Sequence, residues 1–152
     1  MTGIKETIKA IHSQLPPQTR LVAVSKYHPA EAIMEAYEAG QRIFGESHVQ
    51  ELQRKAALLP QDIEWHFIGH LQTNKVKYIA PYVSLIHAVD SERLLAEIDK
   101  QASRIGRKIP CLLQLHIARE ETKFGFSIEE LLNLLDRGAH LAYNSVIISG
   151  LM

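Results

Sequence analysis

The sequence lacks several features that would assign it to a specialised class of protein. Cys111 is the only cysteine, which excludes a disulfide framework and a cysteine-based metal cage. The 17 Lys and Arg balance the 17 Asp and Glu, which argues against a dedicated nucleic-acid binder or a protein held on membranes by charge. No apolar run approaches the roughly 18 residues of a membrane-spanning helix, and no secretory hydrophobic segment begins the chain. We therefore expect a reduced, cytoplasmic protein that binds neither nucleic acid nor a membrane.

Short apolar runs rich in β-branched residues recur along the 152 residues. A segment with helical spacing of its apolar residues separates most of these runs. Strands that alternate with helices and are nearly continuously apolar predict a parallel sheet. The six runs begin at Leu21, Ile43, Glu64, Leu85, Cys111 and Val146.

The predicted helices have recognisable ends. Pro16 follows the first helix, whereas Ser91 is the predicted N-cap of the clearest one and Gly106 ends it. Ser127 and Glu130 form a capping box at the start of the last helix. The six helices are predicted at about residues 4–15, 29–40, 47–60, 73–80, 91–106 and 127–138.

Two architectures fit this alternation, an open doubly wound sheet or part of a TIM-like (β/α)8 barrel. No G-x-G-x-x-G or Walker loop follows a strand, and the even strand spacing favours the barrel. A complete barrel takes around 250 residues, so we expect one domain, 1–152, with about six β/α units and an incomplete C-terminal end. Its first and sixth strands would be open edges, which favours self-association.

Lys26 is the first candidate for chemistry. Alternation along the first strand places Val22, Val24 and Lys26 on one face, and the carboxyl ends of barrel strands face the ligand-binding mouth. A partly desolvated amine there has a lowered pKa and attacks aldehydes to give a Schiff base. From the residues alone, a solvated lysine at a strand end is the alternative, and it is the more frequent situation.

His66 and His70 form an H-x3-H pattern across the third strand and the loop after it. Residues i and i+4 of a strand share a face, so both imidazoles could meet one metal ion, with His87 or His116 as the third ligand. No carboxylate spacing supports a metal site, so we favour polar positions at the barrel mouth and predict no metal.

The polar segment 117–126 follows the fifth strand and lies on the functional side of a barrel. The alternative is a solvated loop in which Phe124 or Phe126 packs against the next helix. Trp65 is predicted to pack in the core and not to contact a ligand.

Six segments, taken together and in order, resemble the pyridoxal phosphate homeostasis protein family. They are LVAVSK, EAYEAGQRIFGES, EWHFIGHLQTNKVK, IHAVDS, REETKFGF and SGLM. The resemblance runs from about residue 21 to the end of the sequence, and its most specific part is the WHFIGHLQ-x-NK motif. It implies an alanine racemase-like barrel that holds pyridoxal 5′-phosphate (PLP) without catalytic turnover, in vitamin B6 homeostasis, with PLP-dependent apoenzymes as recipients.

The resemblance also implies the cofactor-binding residues, which are Lys26, Ser47 and His70. Lys26 falls on the lysine that forms the Schiff base. Ser47 stands where the family's Gly-Glu-Asn motif has asparagine. Tyr27 stands where the family usually has a small residue, and the resemblance implies that its side chain crowds or reshapes the mouth.

The family continues after Gly-Leu-Met with a phosphate-binding segment that this sequence does not contain. Losing about three charge-assisted hydrogen bonds at about 1.5 kcal/mol each would weaken PLP binding roughly a thousandfold. One alternative is therefore a barrel fragment with impaired PLP binding. Another is a PLP-dependent racemase-like enzyme, which would need a second acid/base group. A third is an aldolase-like enzyme that uses Lys26 without PLP.

Overall fold

The computed structural model describes residues 3–117 and 124–152. Its centre is a parallel sheet of six strands whose spatial order is the order of the sequence, β1-β2-β3-β4-β5-β6. The elements in chain order are α1 (Ile4–Gln14), β1 (Ala23–Val24), α2 (Ala30–Glu38), β2 (Ile43–Glu46), α3 (Val49–Leu58), β3 (Glu64–Phe67), a 3-10 turn (Thr73–Lys75), α4 (Val76–Ile79), β4 (Val83–Val89), α5 (Glu92–Arg104), β5 (Ile109–Leu113), α6 (Ile128–Asp136), a 3-10 turn (Ala139–Ala142) and β6 (Val146–Leu151).

The helix ends follow the capping residues that the sequence predicts. The Ser91 side chain accepts a hydrogen bond from the Leu94 N–H at the start of α5. Ser127 and Glu130 form both hydrogen bonds of the capping box at the start of α6. Gly138 follows α6 with φ of +66°, a left-handed conformation that suits glycine. The predicted helix boundaries are therefore confirmed to within a few residues.

Two strands begin earlier than predicted. β4 starts at Val83 and β5 at Ile109, and both side chains are completely buried. Ser84 and Pro110 follow them and interrupt the apolar run in the sequence, so the first residue of each strand is not recognisable from hydrophobicity alone. The turn over Ala139–Ala142 was not predicted either.

The core lies between the sheet and the helices. Side chains from the strands, such as Phe67 and Ile86, pack with helix residues such as Leu52 and Leu95 in one hydrophobic cluster. Trp65 is 3% exposed and belongs to this cluster, which confirms the prediction that it packs in the core. The helices that contribute to this cluster therefore cover one face of the sheet.

The two outer strands of the sheet are β1 and β6, as predicted. Within residues 3–117 and 124–152, β1 pairs with β2 alone and β6 with β5 alone. Val24 in β1 is 53% exposed and Ile147 in β6 is 46% exposed, so both edges carry apolar side chains in contact with solvent. In the described part of the chain, no helix is both long and apolar enough to cross a membrane.

Candidate functional site at the carboxyl ends of the strands

Lys26 lies in the turn that follows β1. The Ser25 N–H donates to the Gly45 carbonyl oxygen at 2.9 Å, which continues the sheet by one residue, and the His28 N–H then closes the turn on the Ser25 carbonyl oxygen at 3.0 Å. Ser25 is buried on the helix side, whereas Val24 and Lys26 are exposed. The predicted alternation therefore holds, and Lys26 is an exposed residue, whereas a partly buried lysine was expected.

Tyr27 adopts a left-handed backbone conformation, with φ of +67°. A bulky residue in this region is uncommon and is disfavoured by contacts of its Cβ. Its side chain is 75% exposed, and its ring lies 5.1 Å from the ring of His48, with the hydroxyl 3.3 Å from His48 Nε2. Tyr27 therefore reaches from the Lys26 turn to the loop after β2.

A buried group of charged side chains lies directly behind this turn, between β1, β2 and α3. Lys55 Nζ donates at 2.8 Å to Glu46 Oε2, to Glu51 Oε2 and to the carbonyl oxygen of Ser25. The Ser25 hydroxyl also donates to Glu46 Oε2. Glu46 Oε1 is buried and has no hydrogen-bond partner among the residues that the structure describes. We call Glu46, Glu51 and Lys55 the acidic-lysine network.

The network changes the acidity of Glu51. Burial by itself would raise the pKa of this carboxyl group, but hydrogen bonds from Lys55 and from the Tyr27 N–H outweigh it and hold the pKa below its ordinary value. Glu51 is therefore a carboxylate at neutral pH, and it carries the charge that Lys55 needs in a buried position.

Ser47 and His70 line one pocket next to the turn, with a volume of about 330 Å³. Gly69 lets them approach each other, because a Cβ at this position would lie 2.7 Å from the Ser47 carbonyl oxygen. His70 Nδ1 is 3.2 Å from Asp90 Oδ2, and its ring stacks on Phe124 at 4.1 Å. The other lining residues are His48, Val49, Gln50, Phe67, Gln72 and Lys75.

Lys26 is not among the residues that line this pocket. The structure therefore brings Ser47 and His70 together, whereas Lys26 is linked to them through the contact between Tyr27 and His48.

The arrangement of the histidines differs from the metal-site alternative. His66 Nδ1 lies 2.9 Å from His87 Nε2, whereas His70 pairs with Asp90. His66 is buried in β3, between core residues of the same strand. Its hydrogen-bond partner therefore comes from the adjacent strand β4 and not from the loop that follows β3. No group of three or more potential ligands that could hold a metal ion occurs within residues 3–117 and 124–152.

Burial and the neighbouring His87 lower the pKa of His66 to about 4, and burial also lowers the pKa of His87. Both imidazoles are therefore neutral at pH 7, and one donates its N–H to the other. The sequence placed His87 beside His66 only as a possible third ligand of a metal site, and the direct hydrogen bond between these histidines, 21 residues apart on adjacent strands, was not predicted.

Part of the polar segment 117–126 lies outside the described residues, namely 118–123. At its end, Phe126 is buried with Leu131 in the hydrophobic cluster, as expected for packing across the start of α6. Phe124 is exposed and stacks on His70, so it belongs to the pocket side.

The acidic-lysine network is the part of this region that sequence reasoning missed. Glu51 and Lys55 have the i, i+4 spacing of a helical ion pair, which is a usable signal. The participation of Glu46 has no local signal, because it depends on the contact between β2 and α3.

Comparison with known proteins shows which family this chain resembles. The family model described as alanine racemase, N-terminal domain, matches residues 2–152. The pyridoxal phosphate homeostasis protein of Schizosaccharomyces pombe is 36% identical over 150 residues, which are 94% of this chain and 63% of that protein. The chain thus spans less than two thirds of this curated relative.

Solved structures agree in fold. PipY of Synechococcus elongatus PCC7942, described with PLP bound, has a TM-score of 0.89 and 41% identity, over 98% of this chain and 69% of that chain. Alanine racemase from Bartonella henselae has a TM-score of 0.74 at 16% identity, over 94% of this chain and 40% of that chain. The six-stranded sheet is therefore part of a TIM-like barrel, which confirms the predicted fold class.

Proposed function

We propose that this chain, which belongs to the alanine racemase N-terminal domain family and within it to the pyridoxal phosphate homeostasis proteins, binds PLP through Lys26. The observation that carries the proposal is the placement of Lys26. Lys26 is exposed in the turn that ends β1, which is the ligand side of a barrel strand, and the peptide bonds before and after it are both hydrogen-bonded to α3.

The residues present suit this cofactor. When bound, PLP would supply an aldehyde that reacts with a primary amine, and Lys26 would hold it through its amine. Ser47 would offer a hydroxyl that donates or accepts, and His70, held by Asp90 and Phe124, would offer an imidazole as a hydrogen-bonding group.

We infer that the bound PLP is stored and delivered, not used for turnover. Relatives at 36% and 42% identity are named homeostasis proteins, whereas similarity to the alanine racemases, at 16% and 17% identity, concerns the fold alone. The recipients in this proposal are PLP-dependent apoenzymes, and the compartment is the cytoplasm.

Absorbance titration tests the binding proposal. Adding PLP to the protein should produce a band at about 420 nm, the region in which a protonated PLP Schiff base absorbs. Lys26→Ala should abolish this band, and Lys77→Ala is the matched control because Lys77 is exposed on α4 and is not among the residues that line the pocket of Ser47 and His70. An unchanged band in Lys26→Ala, or its loss in Lys77→Ala alone, would overturn the assignment.

An assay for amino-acid turnover tests the absence of catalysis. Incubation with L-alanine and PLP should give no more D-alanine than PLP alone gives. Racemisation that Lys26→Ala abolishes would show an enzyme and would contradict the storage role.

A further inference from the structure

Both peptide bonds of Lys26 are tied to helix α3. The carbonyl oxygen of Ser25, which belongs to the peptide bond before Lys26, accepts from Lys55 Nζ at 2.8 Å. The N–H of Tyr27, which belongs to the peptide bond after it, donates to Glu51 Oε2 at 2.8 Å. Lys55 Nζ also donates to that same Glu51 oxygen. A continuous chain of hydrogen bonds therefore leads from one side of Lys26 to the other.

Lys55 has no N–H group left to donate a further hydrogen bond. An ammonium group has three N–H donors, and its three acceptors here are Ser25, Glu46 and Glu51. Its side chain is 3% exposed, so water does not compete for these hydrogen bonds. The position of Nζ, and with it the Ser25 carbonyl, is thus determined from three directions.

The turn held in this way is one that the chain would not prefer by itself. Tyr27 has φ of +67°, and non-glycine residues adopt this region only where surrounding contacts compensate for the strain. The hydrogen bond from its N–H to Glu51 is such a contact. Without it, the backbone after Lys26 would relax towards the right-handed or extended region and turn the Lys26 side chain in another direction.

We propose that Lys55 and Glu51 are positioning residues, which hold the turn so that Lys26 stays at the carboxyl end of β1, beside the pocket that Ser47 and His70 line. The inference rests on the proposed function, because it concerns how Lys26 meets an aldehyde. A buried ion pair is weak evidence of a stabilising role, since apolar replacements often give equal stability. The charged groups beside this turn are explained if they hold the backbone of the turn in its observed conformation.

The main test compares Glu51→Ala, Glu51→Gln and wild-type protein. Each is incubated with PLP, reduced with borohydride so that hydride adds to the C=N bond, and digested for measurement of the pyridoxyl label on Lys26 relative to Lys75. Loss of a hydrogen bond to a charged acceptor should reduce early labelling of Lys26 by about tenfold in Glu51→Ala. Glu51→Gln keeps an oxygen acceptor for the Tyr27 N–H and should recover most of the labelling.

Two measurements separate positioning from general stability. Hydrogen exchange of the Tyr27 amide should become at least about tenfold faster in Glu51→Ala, as expected when its acceptor is lost, and should stay slow in Glu51→Gln. Acetylation of Lys26 by acetic anhydride, which needs exposure but no oriented pocket, should change less than about twofold. Glu38→Ala is the matched control, because it removes a glutamate from an exposed ion pair with Lys5.

Lys55 is tested by the double variant Glu46→Gln with Lys55→Met, because Lys55→Met alone would leave a buried charge without a partner. The double variant should fold and should label Lys26 as poorly as Glu51→Ala does. Unchanged labelling in both Glu51→Ala and the double variant would overturn the inference, as would an unchanged exchange rate of the Tyr27 amide. Failure of wild-type Lys26 to label would instead overturn the proposed function, and the exchange rates would then decide the positioning of the turn independently.

Discussion

The two sides of the sheet differ in how completely they are packed. On the helix side, strands and helices share one core in which most large apolar residues have almost no solvent exposure. On the other side and at the two edges, Val24, Ile147 and Leu151 remain exposed. Lys26 stands where these regions meet. Its backbone is anchored on the helix side, whereas its amine projects into solvent, so the packed side provides geometry and the open side provides access.

The largest difference should appear between two leucines, one in the core and one on the edge strand β6. Leu95 in α5 is completely buried, whereas Leu151 in β6 is exposed. Leu95→Ala should lower the free energy of unfolding by about 3–5 kcal/mol, because it removes a core side chain and leaves a cavity. Leu151→Ala should lower it by less than about 0.5 kcal/mol. Urea denaturation followed by circular dichroism measures both, and equal losses would contradict the contrast between a packed core and an open edge.

Removing one charged partner of the acidic-lysine network should cost more stability than replacing both partners with neutral residues. Lys55→Met should lower the free energy of unfolding by about 3 kcal/mol, because the Glu46 carboxyl group then stays buried without its ion-pair partner. Adding Glu46→Gln should restore much of this loss. Glu38→Ala, which breaks an exposed pair, should cost less than about 1 kcal/mol. A small effect of Lys55→Met in the same denaturation assay would mean that water enters the network.

The histidine pair predicts a pH dependence of stability. The pKa of His66 is lowered to about 4 in the folded chain by burial and by His87, whereas an unfolded histidine titrates near 6.5. The contribution of the neutral His66 to the free energy of unfolding is therefore complete above pH 6.5. It is lost as the pH decreases from 6.5 to 4, because in this range only the unfolded chain takes up the proton. Allowing for screening by solvent, the loss should be about 2 kcal/mol. His66→Gln should flatten this part of the curve, and an unchanged slope in that variant would contradict the assignment.

Association through the sheet edges should give the smallest effect. We propose that the exposed β1 and β6 edges pair with a second copy of this chain, because each is paired on one side only within residues 3–117 and 124–152 and carries exposed apolar side chains. Ile147→Lys should weaken self-association severalfold in sedimentation experiments. Ile105→Lys is the control, since Ile105 has the same 46% exposure but lies at the end of α5. A monomer at all accessible concentrations would exclude edge pairing.

The fold was largely predictable because its signals are local. Ser91 and Ser127 mark the starts of helices through hydrogen bonds within one turn. Evenly spaced apolar runs indicate parallel strands without any information about distant contacts. The position of Lys26 at a strand end followed from the same pattern. The partner of His66 and the network around Lys55 were not predictable, because each depends on which strand or helix lies beside it. The left-handed backbone conformation of Tyr27 was likewise not predictable, because tyrosine has no preference for this conformation.

The most direct test of the central claim is to locate the lysine that PLP modifies. Wild-type protein is incubated with PLP, reduced with borohydride, weighed intact by mass spectrometry and mapped by peptide sequencing. The account predicts one added pyridoxyl-phosphate group per chain, carried chiefly by Lys26, and no comparable label on Lys75 or Lys77 or in the Lys26→Ala variant. A label distributed over the surface lysines, or found chiefly at another lysine with Lys26 unmodified, would contradict it.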